Sequence, residues 1–522
     1  METEVLIVGG GTTGTGIARD LALRGIRCAL IDQKDINAGA SGANHGLLHS
    51  GARYVFKDGR TAAECRHENR LLKRLAPHCI EDTGGLFVAV EQDDDAYVAE
   101  FPELCRTHGI PCRPISRETA REKEPCLAED IKAAFEVDDA VVDPFMLSLD
   151  NAAHAQSKGA VILRNVRLTG FDVRKGRILS ALVENTRTGE CFSIGAGEFV
   201  NAAGAWADTV AARAGARIGM SYSKGSLLVT QSRISQRVIN RLRHASDADI
   251  LVPGGTVSII GTTSVEIDSL DDIRPTPEEV DAIIREGALM VPKLATTRYI
   301  RAYAGVRPLV RSAGGDGRHI SRNYTLRTHE EDGIENLVTI TGGKLTTFRL
   351  MAEKASDIVA RRLGNTRPCL TETEPLPPSA KGEWTEPGKS PRVWMSNPER
   401  RDTLICECEM VSEYMVDEIV ADLKAEGAIP TLEEIGRRSR IGKGPCQGTF
   451  CSFRLAAYLY RKGDLENAQG MGQVRDFVNE RWKGFMPLVR DKELMRVELQ
   501  ESFLCGLFGM EESLYGDRGG GR

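Results

Sequence analysis

The residues with the most definite chemistry lie near the two ends of the chain. Gly9-Gly10-Gly11-Thr12-Thr13-Gly14 has G-x-G-x-x-G spacing and directly follows the apolar run Glu4-Val5-Leu6-Ile7-Val8. Gly9 permits a tight turn, Gly11 lets a pyrophosphate approach the backbone, and Gly14 lets the next helix pack closely on the strand. The helix N-terminus then offers N–H donors and partial positive charge to phosphates. Asp32 closes a second apolar run eighteen residues after Gly14, where a carboxylate can accept from ribose hydroxyls. A glycine turn without a ligand is the bland alternative, but strand, helix and acid in register favour a dinucleotide site. At the other end, Cys406-x-Cys408 and Cys446-x4-Cys451 form two pairs separated by 37 residues. Two pairs of thiolates can hold zinc, or a 2Fe–2S cluster with two cysteines on each iron. Zinc sites usually use C-x2-C, so this spacing favours iron–sulfur; zinc would make the module a structural clip. The other nine of the 13 cysteines are scattered singly, and most of them read as small buried hydrophobes.

Two later stretches bear on which dinucleotide is bound. Phe199-Val200-Asn201-Ala202-Ala203-Gly204 reads as a strand ending in small residues, suited to close approach by a bulky cofactor. Leu337 to Thr347 repeats the theme, with a strand, then Gly342-Gly343, then Lys344 and a helix start at Leu345 and Thr346. A helix N-terminus here could face the N1/C2 edge of a flavin and stabilise its anionic reduced ring. Three glycine-ended strands, widely spaced, are what an extended FAD needs around it; ordinary β–α turns are the alternative.

These residues need elements to position them. Residues 4–8, 14–25 and 27–32 read as a strand–helix–strand opening. From 161 to 204, RKGR at 174–177 and NTRTGE at 185–190 punctuate three extended runs, an antiparallel meander. Residues 221–230 and 257–265 are strand-like. The spacing predicts a helix over 277–291, with Thr276 as N-cap, Pro277 at its first position and Glu279 closing a capping box. Strands interleaved with helices imply two mixed α/β units woven together. The oxidoreductase unit is expected over 1–367, with cofactor segments about 1–80, 145–220 and 330–367 and substrate segments about 81–144 and 221–329. Seven prolines between 368 and 398 (368, 375, 377, 378, 387, 391, 398) mark an extended linker over 368–402. A helical module at 403–458 follows, with Ser412 and Thr431 as N-caps, and a tail over 459–522.

Composition limits the function classes. The 522 residues are 41% hydrophobic and 27% charged, ordinary for a soluble globular protein. Lys+Arg 68 against Asp+Glu 74 gives −6, so no overall basic field recruits nucleic acid. No apolar run approaches the ~18 residues that span a bilayer, and METEVLIVGG has no basic leader pattern. The expectation is a soluble chain, or one held to a membrane by something else. An odd number of cysteines, few for this length, fits cytosolic thiols with one special cluster.

Taken in order, GGGTTGTGIARDLALRG, NHGLLHSGARY, KGSLL, IGTTS, AYAGVRPLV, SRNY, TGGKLTTFR and the cysteine module resemble the FAD-dependent glycerol-3-phosphate dehydrogenases. The likeness is closest to the large catalytic subunit of the anaerobic, multi-subunit type, and covers nearly the whole chain. With Gly444-Pro445-Cys446-Gln447-Gly448, the cysteine module is similar to the bacterioferritin-associated ferredoxin, a small helical 2Fe–2S domain. The resemblance implies an α/β fold: a Rossmann-like FAD domain of the glutathione-reductase/D-amino-acid-oxidase type, interleaved with a mixed-sheet substrate domain. It implies oxidation of sn-glycerol 3-phosphate to dihydroxyacetone phosphate, hydride passing from C2 to flavin N5. Electrons would leave through the cluster and further flavin and iron–sulfur subunits to a membrane quinone. The chain would then be cytoplasmic, and peripheral on the inner face of the membrane through those partners.

A phosphate dianion beside a flavin calls for arginines in a pocket. The resemblance points to Arg307 and Arg322 as phosphate ligands and to Arg53 beside the isoalloxazine; any one arginine taken alone is more often a salt bridge. It also assigns Ser41, Ala203, Gly204, Gly342, Gly343, Leu345 and Thr346 to the cofactor. His45 and His49 lie in SGANHGLLHSG, the loop expected over the flavin, and Lys344 could bring an ammonium to N5 or the substrate oxygen. The aerobic branch has a histidine directly after Lys-Gly-Ser; here that position is Leu227. The base for the C2 hydroxyl is left between His49 and Lys344. Rival readings are an enzyme of the same fold acting on a 2-hydroxy acid or a secondary amine, and a non-catalytic subunit for electron transfer. Asn479–Gly484 and Phe503–Phe508 could dock a partner or pack on the body.

Overall fold

The apolar run near the N-terminus forms the strand Glu2–Val8, whose Val5, Leu6 and Ile7 have no exposed surface. A strand this apolar on both faces must lie inside a sheet. It pairs in parallel with Cys28–Asp32 on one side and Cys191–Asn201 on the other. This is a computed structural model, and it describes residues 1–271, 273–310, 323–396, 402–466 and 469–490, with 494–495, 497–499, 502 and 506 beyond them.

Among the described residues the first sheet has eight strands. The expected meander is Val166–Arg174, Arg177–Asn185 and Cys191–Asn201, antiparallel, turning at Lys175 and Gly176 with positive φ. Its last strand also pairs in parallel with Leu337–Gly342. The strand ends at Val8, Asp32, Asn201 and Gly342 therefore open on one edge, where ligands bind in open α/β sheets. The helix Thr12–Leu23 leaves Val8 through the glycine turn. A Cβ on Gly14 would lie 1.8 Å from the Gly9 carbonyl oxygen, so only glycine allows the helix to start there.

The second sheet has nine strands among the described residues. Its centre is the long antiparallel pair Met220–Thr230 and Tyr299–Val310, in which Ser223 faces Arg307 and Leu227 faces Tyr303. The stretch expected as one strand at 257–265 divides into Val257–Gly261 and Val265–Ile267. Thr263 leaves the ladder because its hydroxyl is used twice, accepting from the Ser226 N–H at 3.0 Å and donating to Glu279 at 2.7 Å. The helix Pro277–Met290 has the expected capping box between Thr276 and Glu279.

The proline-rich segment carries two short helices, Ala380–Glu383 and Lys389–Met395, and is strapped to the body. Prolines cannot donate, but their neighbours' carbonyls still accept. The Arg19 guanidinium donates to the carbonyls of Glu374 (2.8 Å) and Pro375 (3.1 Å), and Leu376 and Trp384 are buried.

In the C-terminal module, Glu413–Ala425, Leu432–Arg438 and Cys451–Lys462 enclose Val416, Ile419, Ile435, Leu455 and Leu459. Thr431 caps its helix through the Glu434 N–H. Ser412 holds the N-cap position, but its buried hydroxyl makes no capping bond. The helix Gln469–Phe485 adds Val474 and Phe477 to this core. Its Asn479–Gly484 portion lies against Tyr299–Val310, with Arg301 donating to Glu480 at 3.4 Å. Of Phe503–Phe508, only Gly506 is among the described residues. No helix among the described residues is long and apolar enough to cross a membrane.

The module docks on the loop after Asp32 through a buried ionic seam. Arg438 holds Asp35 with two bonds at 2.5 and 3.0 Å, and Arg164 reaches Glu434 (3.0 Å) and Glu426 (2.6 Å). Burial alone would raise the Asp35 pKa, but Arg438, Arg437 and Arg164 outweigh it and hold the carboxylate ionised. Arg438→Leu removes the two-bond partner of that buried charge and is expected to cost about 3–5 kcal/mol. Thermal unfolding followed with a module-specific probe should show the loss.

Candidate active site

One cavity of about 940 Å³ runs from the fingerprint turn to the strand Tyr299–Val310. Gly9, Gly11, Asp32 and Ser41 line one end, and Ala203, Gly204, Gly342, Gly343, Lys344 and Leu345 the middle. His45, His49, Arg53, Leu227 and Arg307 line the other end. Gly14 and Thr346 are placed behind the lining: Gly14 closes the turn, and the buried Thr346 hydroxyl accepts the His49 N–H at 3.0 Å. Arg322 lies outside the described residues.

The fingerprint end fits a dinucleotide. Gly9 has φ +116°, and a Cβ there would meet the Ala202 carbonyl oxygen at 2.5 Å. A Cβ on Gly11 would meet only the Ser41 side chain, whose Oγ accepts the Thr12 N–H at 3.1 Å. Asp32 Oδ2 accepts the Gly10 N–H at 2.7 Å and Oδ1 accepts the Lys34 N–H at 2.8 Å, so the acid first stiffens the turn. Each oxygen keeps a second lone pair for a ribose hydroxyl. The cavity is at the upper end of the ~300–1,000 Å³ usual for ligand clefts.

At the far end the sheet register brings Arg307 beside Ser223. Its guanidinium donates to the Ser223 hydroxyl (3.3 Å), the Thr263 carbonyl (3.0 Å) and the Thr262 hydroxyl. A Cβ on Gly225 would lie 2.5 Å from Arg307 Nη2, so a glycine is what lets the arginine lie flat against the strand. Arg53 is anchored to Asp249 at 2.7 Å, and Asp249 also holds Arg243. His45 Nδ1 accepts the Leu47 N–H at 3.3 Å, which puts the neutral ring's proton on Nε2. Burial first, then the charges of Arg307 and Arg53, push His45 down to about 3.

That shift has a measurable consequence. Above the ordinary value of about 6.5 His45 is neutral whether folded or unfolded, so it has no effect. Between there and about 3 the unfolded chain binds a proton that the folded protein refuses, so stability falls with pH. His45→Gln should therefore gain stability over wild type as pH drops from about 7 to about 5. Urea midpoints of the two proteins across that range check this; a constant difference would contradict it.

His49 Nε2 lies 3.2 Å from the Tyr54 hydroxyl, and Lys344 Nζ stands 4.6 Å from the centre of the Tyr54 ring. Asn323 donates to Asp58 at 2.6 Å. Burial would raise Asp58, but bonds from Thr61 and Asn323 and the charge of Lys344 lower it. Sequence reasoning missed Tyr54, Asp58, Asn323 and Asp249. Tyr54 had a signal, its position next to Arg53 in the same motif. Asp249 had none, since it meets Arg53 across 196 residues. Leu227 leaves its stretch of the cavity wall apolar.

The four cysteines Cys406, Cys408, Cys446 and Cys451 come together at the module's edge. The Cys451 thiol donates toward Cys406 and Cys446. That bond, against burial and with the N–H groups of Gly448 and Phe450, pushes Cys446 down to about 5. Burial pushes Cys408 up to about 11. The N–H groups of Glu409 and Gly442 point toward Cys406, and that of Cys446 toward Cys408. Four sulfurs ringed by backbone donors suit an anionic thiolate cluster.

Residues 4–358 match the model of the FAD dependent oxidoreductase family, and residues 404–461 that of the BFD-like [2Fe-2S] binding domain. The A subunits of two anaerobic glycerol-3-phosphate dehydrogenases are similar to the chain over nearly all of its length. That of Escherichia coli (strain K12) is 44% identical over 532 residues, covering 98% of this chain and 97% of its own. That of Haemophilus influenzae is 39% identical over 541 residues, covering 98% and 94%. The glycerol-3-phosphate dehydrogenase of Bacillus halodurans, solved with FAD, has a TM-score of 0.67 at 22% identity, covering 94% of this chain and 97% of that one, and so shares the fold. The chain belongs to the FAD-dependent oxidoreductase family, among the anaerobic glycerol-3-phosphate dehydrogenase A subunits, and joins an FAD domain to a 2Fe–2S domain.

Proposed function

We propose that this chain oxidises sn-glycerol 3-phosphate to dihydroxyacetone phosphate and passes the electrons outward through its iron–sulfur module. The observation that carries the reading is Arg307 and Arg53 flanking a neutral His45 in the same cavity as the glycine-ended strands. Bound FAD supplies the two-electron acceptor for the C2 hydrogen. Arg307 and Arg53, joined by Arg322 from SRNY, hold the phosphate dianion. Residues 1–367 carry the oxidation and 403–458 the cluster, held by Cys406, Cys408, Cys446 and Cys451.

His49 takes the C2 hydroxyl proton, with the Tyr54 hydroxyl 3.2 Å from its Nε2 to hold the ring in place. Lys344 sets an ammonium beside the forming oxygen charge, steadied by the Tyr54 face. Leu227 keeps water from one wall of the pocket. A cluster moves one electron at a time, so the electrons go to a protein acceptor: further flavin and iron–sulfur subunits, then membrane quinone. Those partners hold the chain on the cytoplasmic face of the membrane.

A substrate panel with an artificial acceptor tests this reading. Turnover is expected with glycerol 3-phosphate and not with glycerol, 2-hydroxy acids or imino acids. Efficient oxidation of a hydroxy or imino acid instead would sink the substrate assignment.

A further inference from the structure

Three basic side chains meet in the seam between the oxidoreductase body and the cysteine module, the lysine pushed down to about 7 by burial and by the charge of Arg440. Arg301 comes from the strand Tyr299–Val310, Arg481 from the helix Gln469–Phe485, and Lys443 from the loop before Cys446. The Nε atoms of Arg301 and Arg481 are buried, and neither has a hydrogen-bond partner among the described residues. The nearby carboxylates do not fill the gap. Glu480 is more than half exposed and reaches Arg301 only at 3.4 Å, and Glu409 is taken by Arg440 at 2.5 Å. Burial, then repulsion from Arg301, lowers Arg481 to about 9. Orphaned guanidinium donors beside like charges are costly unless an anion answers them.

The geometry identifies that anion. Arg481 lies over the Phe477 ring, 5.0 Å from its centre. A Cβ on Gly442 would fall 3.3 Å from Arg481 Nε and 2.6 Å from Phe477 Cζ, and one on Gly448 2.6 Å from Phe477 Cε1. The N–H groups of these two glycines point at the sulfurs of Cys406 and Cys446. The Arg481–Phe477 pair therefore backs the donors that face the cluster thiolates. Lys443 stands over the Phe145 ring at 4.9 Å, on the side of the module that faces the oxidoreductase body.

We propose that Arg481, supported by Lys443 and Arg301, is the counter-charge that sets the reduction potential of the 2Fe–2S cluster. The cluster with its four thiolates is anionic, and reduction adds one further negative charge. A fixed cation behind the ligand loop stabilises the reduced form more than the oxidised one. Arg481 gains and loses nothing; the electron comes from the reduced flavin and leaves to the next carrier. The inference rests on the cluster assigned above and goes beyond it.

The test is an anaerobic redox titration of purified holoenzyme, following the EPR signal of the reduced cluster, with iron content measured on each sample. Arg481→Gln is expected to make reduction about tenfold less favourable, a shift of ~59 mV to lower potential for a one-electron couple. Arg481→Lys, which keeps the charge, should stay close to wild type, and Lys443→Gln should shift in the same direction as Arg481→Gln. An unmoved potential in fully loaded Arg481→Gln overturns the proposal. So does an equal shift in Arg481→Lys, which would mark a packing role. Should Arg481→Gln lose its iron, Lys443→Gln decides, and an unmoved potential there overturns the proposal. A wild-type protein with no cluster signal would instead overturn the cofactor assignment itself.

Discussion

Arg307→Gln is expected to lower kcat/KM for glycerol 3-phosphate by roughly 10²–10³-fold while FAD content stays unchanged. The side chain is fixed before substrate arrives: Ser223, Thr262 and Thr263 hold one edge of its fork, and Gly225 gives it room to lie flat. Such a fork can meet a phosphate without reorganising. Removing one partner of a buried, charge-assisted pair costs about 2–5 kcal/mol, because the other charge is left without compensation. The cofactor should not notice, since Arg307 stands on the second sheet and the fingerprint turn follows a strand of the first. The pH behaviour gives a second readout: with Arg307 gone, His45 loses one of the two cations that hold it neutral and should titrate at higher pH. Steady-state kinetics with a flavin absorbance check would settle it. Unchanged kcat/KM would remove Arg307 from the phosphate site.

Cys446→Ser is expected to separate the two halves of the reaction. Cys446 faces the N–H groups of Gly448 and Phe450, donors that suit a ligating thiolate. Without it the cluster loses a ligand and the iron should be lost with it. Reduction of FAD by substrate should persist, since no cysteine of the module lines the cavity. Turnover linked to quinone should fall to background, while turnover with a small dye that reacts at the flavin should survive. Undiminished quinone-linked turnover in iron-free protein would take the cluster out of the electron path. The body should remain folded, because its main hydrophobic cores contain none of the four cysteines.

What the sequence disclosed was mostly local. The strand–turn–helix of residues 2–23, the capping box at Thr276 and Glu279, and the meander turning at Lys175 and Gly176 each depend on a few adjacent residues whose backbone preferences agree. The site residues were legible as types, because arginines, histidines and glycine-ended strands carry their chemistry with them. What holds them was not. Arg53 is anchored by a residue 196 positions away, and Arg438 reaches Asp35 across 403. No local pattern encodes such a pair. Ser412 shows the same limit at short range, since its position as an N-cap was readable but its buried hydroxyl makes no capping bond. The proline-rich stretch misled in another way. Its composition limits regular structure to two short helices but does not prevent docking, and Arg19 uses its carbonyls as a strap. Leu227, the residue directly after Lys-Gly-Ser, lines the cavity wall.

The central claim is that glycerol 3-phosphate reduces the flavin of this chain, and an anaerobic visible spectrum tests it most directly. Protein purified without oxygen would be recorded before and after adding the substrate. The expected result is bleaching of the flavin band at roughly 450 nm, with a remaining, dithionite-sensitive absorption from the cluster. A flavin that stays oxidised with glycerol 3-phosphate, but bleaches with a hydroxy acid or an amine, would contradict the claim.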